Sequence, residues 1–183
     1  DDATKRINSL AARDNAEYPY EFKQSLRTAH LRAQAEAYHQ AVEALPADQR
    51  DKFTGNRFND AMRIVTESTT GCVKCHSVAD YVSKGDPRSK GPNLANVHQR
   101  LRPGYVRDWV AYPYYKLPYT SMLVAFNYKP GDPSQDGFPV KGLFHGNSTQ
   151  QLDAVVDVLM NFDKYTEDRT PIAPMVKAPA AAP

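Results

Sequence analysis

The sequence predicts an all-α protein, and three observations support this fold class. Apolar residues recur at intervals of three and four along several segments, which is typical of amphipathic helices. No segment alternates apolar and polar residues for long enough to indicate a β-sheet. Proline and glycine fall between the periodic segments, where they are expected to end helices and to form turns.

The N-terminal residues 1–54 are predicted to be helical. Their apolar residues follow helical spacing, in a first stripe made of Phe22, Leu26, Ala29, Ala33 and Ala37. Pro46 is expected to end this helix or to begin a short new turn. We treat residues 1–54 as an N-terminal helical extension, whose apolar stripe either packs on the following domain or binds a partner.

The main domain is predicted to span residues 55–168. Its first helix ends shortly before residue 72, and its apolar stripe consists of Phe58, Ala61, Met62 and Val65. Residues 77–102 are predicted to be loop-rich, because glycine and proline turn signals recur there. A second helix is predicted to begin at Pro103, to contain Trp109 and to stop at Pro113.

The C-terminal part of the chain is predicted to contain one long helix. Residues 114–148 are rich in proline and glycine and are expected to be mostly irregular. The helix should then begin at an N-cap of Ser148 or Thr149 and carry an apolar stripe as far as Phe162. Residues 169–183 are rich in proline and alanine, and we expect this tail to be flexible.

The charge distribution argues against a nucleic-acid-binding protein, and the lack of long apolar runs argues against an integral membrane protein. The formal net charge is +2, but residues 74–116 carry eight Lys or Arg against three Asp or Glu, a net charge of +5. This excess is too sparse for a nucleic-acid-binding face, and no nucleic-acid-binding motif accompanies it. No run approaches the roughly 20 apolar residues of a membrane-spanning helix, so we expect no integral membrane segment.

A five-residue motif carries the chemistry of the sequence: residues 72–76 read Cys-Val-Lys-Cys-His. Two thiols at this spacing can each add to a vinyl group of one haem, which gives two thioether bonds. His76 is then held beneath the porphyrin, where its imidazole can bind the iron. This is the c-type haem attachment signature, and it predicts one covalent haem c bound by Cys72, Cys75 and His76.

Three other roles remain open for these residues. A zinc site needs about four ligands, which the motif and His98 could supply, although adjacent Cys and His ligands fit one tetrahedral ion poorly. A thioredoxin-like redox pair needs a βαβ setting, whereas this motif follows a predicted helix. A structural disulfide between Cys72 and Cys75 would be strained and would leave His76 without a role.

An electron-transfer haem also needs an iron ligand opposite His76. The side chains able to provide it are Met62, Met122, Met160, Met175, His30, His39, His98 and His145. Met122 lies in an extended, proline-led loop after the second predicted helix, from which a thioether can reach a flat cofactor. We therefore predict Met122 as the second ligand, with His98 and His145 as the next candidates. The alternative for Met122 is a surface or gap-filling side chain.

The order of these features resembles that of class I c-type cytochromes over roughly residues 55–165. The resemblance consists of a helix ending in CVKCH, the residues Gly91-Pro92-Asn93-Leu94, a tryptophan-containing helix, the loop with Pro118, Thr120 and Met122, and a last apolar helix. It implies a cytochrome c fold, in which the first and last helices cross and the iron is bound from both faces.

The resemblance also assigns roles to individual residues. His76 and Met122 are implied as the iron ligands, and the Pro92 carbonyl as the acceptor of a hydrogen bond from the His76 ring. From their position, Arg100 and Trp109, or a nearby tyrosine, are predicted to bond the haem propionates. The sequence departs from the family where Leu123 replaces a frequent proline, in its long 123–147 connection, and in its unmatched N-terminal extension.

Together these features predict a monohaem electron carrier rather than an enzyme. Two protein ligands leave no open site on the iron, which cycles between Fe(II) and Fe(III), and a Met/His pair raises the reduction potential. The basic stretch predicts redox partner proteins with an acidic docking surface, and covalent haem attachment predicts export to the periplasm or an equivalent compartment. The alternatives are a haem subunit of a larger redox complex, or a gas-binding or catalytic haem protein if Met122 is not a ligand. The sequence predicts no particular oligomeric state.

Overall fold

The computed structural model describes residues 20–132, 134–163 and 171–177, with side chains from Thr28 onward. These residues form α-helices and short 3-10 helices, with isolated β-bridges and no β-strand among them, so the all-α prediction is confirmed for them. None of the described helices combines the length and the apolar character needed to cross a membrane. The chain divides into two compact units, Asp1–Ala37 and Tyr38–Pro183.

The helices of the second unit follow the predicted order. The α-helices of the described residues are α1 (Tyr20–Glu43), α2 (Ala47–Arg50), α3 (Arg57–Val65), α4 (Val97–Arg100), α5 (Pro103–Ala111), α6 (Pro113–Lys116) and α7 (Ser148–Met160). Short 3-10 helices lie at Cys72–Lys74, Pro87–Ser89, Leu94–Asn96 and Ala173–Met175. The three helices predicted after residue 55 correspond to α3, α5 and α7. Pro113 ends the pattern of α5, as predicted, and also begins the short α6.

The N-cap of α7 differs from the prediction. Asn147 occupies this position, not Ser148 or Thr149. Its side-chain oxygen accepts a hydrogen bond from the Gln150 backbone N–H at 3.0 Å, and the Gln150 side chain accepts one from the Asn147 N–H at 2.9 Å. This reciprocal capping box satisfies two backbone donors that the helix itself leaves unpaired, which is why the helix begins one residue earlier than expected.

The helix α7 lies at the centre of the core. It packs against α3, α4 and α5. The buried apolar side chains of α3 and α7 include Ala61, Met62, Ile64, Val65, Leu152, Ala154, Val155 and Val158. An ion pair between buried Arg57 of α3 and Asp157 of α7, with an N–O distance of 2.7 Å, also joins the two helices. The helix before the CVKCH motif is therefore fixed against the last long helix.

A buried carboxylate connects α3 to the segments around it. Asp60 is fully buried and accepts hydrogen bonds from the Tyr38 hydroxyl at 2.8 Å, the Thr54 backbone N–H at 3.1 Å and the Arg63 guanidinium at 3.0 Å. The Tyr38 oxygen in turn accepts a hydrogen bond from the backbone N–H of His145 at 3.2 Å. Tyr38 belongs to the segment predicted as an N-terminal extension, so part of that extension lies within the second compact unit.

The segment between α6 and α7 is irregular, as predicted, but it supplies part of the core. Phe126, Phe138 and Phe144 are buried, and the rings of Phe126 and Phe138 lie 5.7 Å apart. An isolated antiparallel bridge between Asn127 and Gly137 brings these two aromatic residues together, with N–O distances of 2.8 and 3.0 Å. This long connection is therefore a packed part of the domain.

Part of the predicted flexible tail is docked on the domain. Of residues 169–183, only residues 171–177 are among those described. Within them Ile172 is fully buried, and its backbone N–H donates to the Asp80 carboxylate at 2.8 Å. The N–H of Ala173 donates to the other Asp80 oxygen at 3.3 Å. These contacts join the C-terminal segment to the loop that follows His76. Residues 171–177 are therefore packed on the domain, in contrast to the flexible tail that the sequence predicts.

Candidate functional site

The CVKCH motif follows α3 after a turn that one carboxylate organises. The Glu67 side chain accepts hydrogen bonds from the backbone N–H groups of Thr69 at 3.0 Å, Thr70 at 2.6 Å and Gly71 at 3.1 Å. The hydroxyls of both threonines donate to it as well, at 2.6 and 2.9 Å. Partial burial acts to raise the pKa of Glu67, but the hydrogen bonds prevail and lower it to about 2. The turn that leads into Cys72 is thus built around an ionised side chain.

Replacing Glu67 with glutamine is expected to lower the free energy of unfolding by about 1 kcal/mol near neutral pH, a value reduced for solvent screening of a partly exposed group. The pKa of Glu67 is lower in the folded chain than its ordinary value of 4.5. The advantage of the native carboxylate is therefore complete above about pH 4.5 and should be lost as the pH falls towards about 2. Urea unfolding of both proteins at several pH values measures this difference, and a difference that does not change with pH would contradict the assigned role.

The two cysteines are free thiols at the start and end of one tight turn. The backbone N–H groups of Cys75 and His76 donate to the Cys72 carbonyl at 3.2 and 2.8 Å. Both cysteines are half-buried and neither forms a disulfide. Burial raises the pKa of the Cys72 thiol to about 11, so this thiol is protonated near neutral pH. The disulfide alternative gains no support from this arrangement, and no strand of a βαβ unit occurs among the described residues.

A backbone carbonyl determines which ring nitrogen of His76 keeps a free lone pair. Nδ1 of His76 lies 2.8 Å from the Pro92 carbonyl oxygen. Since a carbonyl oxygen can only accept, Nδ1 must carry the proton, and Nε2 of the neutral ring is left with a free lone pair. Burial lowers the pKa of His76, against the opposing effect of this hydrogen bond, and favours the neutral ring. Nε2 is therefore the nitrogen of His76 that could bind a metal.

The segment that supplies the Pro92 carbonyl is fixed beside the motif. The Gly91 N–H donates to the Cys75 carbonyl at 2.9 Å, and an isolated parallel bridge pairs Gly91 with His76. The Leu94 N–H donates to the Ser77 carbonyl, also at 2.9 Å. A Cβ atom on residue 91 would overlap the imidazole of His76. Gly91 is thus required for close approach of its backbone to the ring.

Replacing Gly91 with alanine is expected to displace the His76 ring and to break its hydrogen bond to Pro92. We expect a fall in the free energy of unfolding of about 1–3 kcal/mol, because the added methyl group has no space. Denaturant unfolding measures the loss. Gly104→Ala is the matched control, since a Cβ there has no atom within 4 Å. Equal stability of the two variants would contradict the close packing of His76 on Gly91.

A second group of predicted residues lies on α5 and the loop after α6. The indole Nε1–H of Trp109 donates to the Met122 sulfur, with an N–S distance of 2.8 Å. The backbone N–H of Met122 donates to the Thr120 hydroxyl at 3.2 Å, so the loop around this methionine is defined. Met122 and Trp109 are both half-buried. The sequence predicts that the indole N–H of Trp109 bonds a haem propionate, but in the structure this N–H donates to the Met122 sulfur.

The predicted site residues thus fall into two groups, the motif with Pro92 and the pair of Trp109 with Met122. Among the described residues, no hydrogen bond connects the two groups.

No family model, curated protein or solved structure matches this chain. The function is therefore inferred from the residues and their contacts. Arg100, the remaining predicted residue, is exposed and forms no ion pair with the described residues.

The zinc alternative finds no ligand set in the described part of the chain. No group of three or more His, Cys, Asp or Glu side chains is placed there to hold a metal ion. His98, the proposed fourth zinc ligand, is half-buried, and its Nδ1 is buried without a hydrogen-bond partner. The three candidate zinc ligands of the motif therefore do not converge on one point.

Several large apolar side chains near the second group are exposed. Tyr105 stacks on Trp109, and Leu123 and Val124 directly follow Met122. Leu123 is 66% exposed. Clusters of exposed apolar side chains commonly mark surfaces that a ligand or partner covers. These residues accordingly leave apolar surface beside Met122 that a large flat ligand can cover.

Sequence reasoning missed two residues that shape the site. Gly91 is predicted as a turn residue and as part of the segment that carries the family resemblance, but its close contact with the His76 ring is not visible in the chain order. Glu67 was not selected at all, although a Glu followed by Ser-Thr-Thr-Gly is a pattern able to form side-chain-to-backbone hydrogen bonds. Both residues act on the motif through backbone geometry.

Proposed function

We propose that the chain is a monohaem c-type cytochrome that carries single electrons between redox partners. The observation that carries this proposal is the imidazole of His76, which directly follows the Cys-x-x-Cys pair and is held through Nδ1 by the Pro92 carbonyl at 2.8 Å. This contact leaves Nε2 free for a metal, and the two neighbouring thiols are free to form thioethers. The zinc alternative would use the same three side chains, but among the described residues no group of three or more such side chains is placed to hold a metal ion.

The helix packing supports a cytochrome c fold for the proposed haem domain. In that fold the helix before the attachment motif crosses the last helix, and here α3 packs on α7 with the ion pair of buried Arg57 and half-buried Asp157 between them. The helix α5, which carries Trp109, packs on α7 as well. The exposed apolar side chains around α5 and Met122 supply a surface that a porphyrin would bury.

Each residue of the site has a defined part in this proposal. Cys72 and Cys75 would hold the haem through sulfur, and His76 would bind the iron through Nε2. Met122 would supply the second iron ligand, and its thioether would favour the reduced iron. The bound haem supplies one-electron chemistry between Fe(II) and Fe(III). The chain contributes the two ligands, the apolar surroundings and the exclusion of other ligands from the iron.

The surface charge supports an acidic redox partner. Between residues 74 and 102, six exposed cations form no ion pair with the described residues: Lys74, Lys84, Arg88, Lys90, Arg100 and Arg102. Of the three acidic residues at positions 74–116, Asp80 accepts from the Ile172 backbone, Asp86 accepts from the Arg88 backbone, and Asp108 pairs with Lys116. The unpaired positive charge can therefore steer an acidic partner towards the motif. Covalent haem attachment places the proposed protein in the periplasm or an equivalent compartment.

The proposal is tested on the protein produced in a host that attaches haem to exported chains. Absorption spectra of the oxidised and reduced protein should show a low-spin haem, and the mass of the denatured protein should increase by that of one haem. A protein that matured without pigment, or that held zinc at the motif, would overturn the proposal.

A gas-binding haem protein is the second candidate function, and one contact favours it. The Met122 sulfur lies 2.8 Å from the Trp109 indole nitrogen, an arrangement that could keep the thioether away from the iron. Prompt binding of carbon monoxide by the reduced protein would support this function. Slow or absent binding would support two protein ligands.

A further inference from the structure

The indole of Trp109 is held in place by its own surroundings on α5 and α6. The ring stacks on Tyr105, with centroids 5.9 Å apart and planes inclined by 22°. The ammonium group of Lys116 lies 5.8 Å from the Tyr105 ring and forms an ion pair with Asp108 at 2.8 Å. The direction of the indole N–H is therefore set by this stack before any ligand binds.

The loop that carries Met122 is held by its own hydrogen bonds. It closes through the Thr120 N–H, which donates to the Leu117 carbonyl at 3.0 Å. The Thr120 hydroxyl then accepts the Met122 N–H at 3.2 Å. The contact between Trp109 and the Met122 sulfur thus joins two locally ordered segments.

We infer that Trp109 is a positioning residue that holds the Met122 sulfur through its indole N–H and thereby raises the reduction potential of the haem. This inference rests on the proposed function, in which Met122 is an iron ligand. A thioether sulfur has two lone pairs, so one can accept the indole N–H while the other binds the iron. The N–H donor withdraws electron density from the sulfur, which weakens ligation of Fe(III) more than ligation of Fe(II).

The same hydrogen bond affects competition between Met122 and other ligands of the oxidised iron. Because the donor weakens ligation of Fe(III) by the sulfur, and a net hydrogen bond is worth about 1 kcal/mol, removing the donor while keeping an aromatic ring should lower the affinity of the oxidised protein for added imidazole by up to about fivefold. The reduction potential should fall in the same variant.

The test compares holoproteins carrying Trp109→Phe and Tyr115→Phe. The first removes the N–H donor and keeps an aromatic ring, whereas the second removes only the hydroxyl of an exposed tyrosine of α6 and leaves the donor in place. We expect Trp109→Phe to lower both the reduction potential and the imidazole affinity, and to keep the far-red absorption band of methionine-ligated Fe(III). Tyr115→Phe should match the wild type in potential and imidazole affinity, and so should Trp109→Phe if the inference is wrong.

A measurement on the wild-type protein covers the case in which Trp109→Phe does not assemble. Trp109 is the only tryptophan of the chain, so its indole N–H gives a single assignable NMR signal. In the reduced holoprotein we expect a nuclear Overhauser effect between this N–H and the strongly shifted methyl group of Met122. A shifted methyl group without that contact would overturn the inference alone. A holoprotein without any such methyl group would overturn methionine ligation and with it the inference, and a chain without covalent haem would overturn the proposed function itself.

Discussion

Replacement of both Cys72 and Cys75 by alanine is expected to give a chain with no covalently bound haem. Thioether attachment needs a sulfur at each position, and the two residues are the only cysteines of the chain. A single replacement leaves one thioether and should retain the haem in part. The mass of the denatured protein and the haem absorbance that stays with the polypeptide after acid extraction measure the effect.

Lys74→Ala is the matched control for the cysteine variants. Lys74 lies between the two cysteines in the same turn, but its side chain is exposed and forms no ion pair with the described residues. We expect this variant to carry one covalent haem, as the wild type does. Retention of haem on the denatured double-alanine chain would contradict attachment through these sulfurs.

Asp60→Ala is expected to have the largest effect on stability, a loss of about 3–5 kcal/mol in the free energy of unfolding. The fully buried carboxylate accepts bonds from Tyr38, Thr54 and Arg63, and alanine would remove this acceptor from all three donors. Burial raises the pKa of Tyr38, so its phenol stays protonated and donates to Asp60. Urea unfolding of the holoprotein, followed by circular dichroism, measures the loss.

Two controls separate this network from a general effect of removing acidic residues. Asp48→Ala replaces an exposed carboxylate of α2 and should change the stability by less than about 0.5 kcal/mol. Tyr38→Phe removes one of the three donors and should cost about 1 kcal/mol. If Asp60→Ala proved no more destabilising than Asp48→Ala, the carboxylate would not be the centre of the network.

The helices that flank the site could be predicted, because they are long and amphipathic and begin or end at proline or asparagine. Residues Phe58 to Val65 and Leu152 to Phe162 each show a helical stripe, and these stripes correspond to α3 and α7. The sequence could not show the burial of Phe126 and Phe138, since they lie in a proline- and glycine-rich segment without periodicity. Their packing depends on a bridge between distant residues, which no local pattern encodes.

The same distinction applies to the candidate site. The spacing of the motif is local, so it could be selected directly. The contact of His76 with Pro92 was expected only from the family resemblance, and the pairing of Trp109 with Met122 was not expected at all. Each of these contacts joins segments more than ten positions apart. They depend on how the loops fold back, which residue types alone do not determine.

The link between Asp80 and Ile172 has a consequence for the order in which the domain forms. The two residues are 92 positions apart in the chain, and closing so long a loop costs chain entropy that local contacts do not. Until residue 172 has been synthesised and has folded back, Asp80 lacks both of its backbone donors from the C-terminal segment. The peptide after His76 can therefore reach its final arrangement only after residue 172 has been made and has docked.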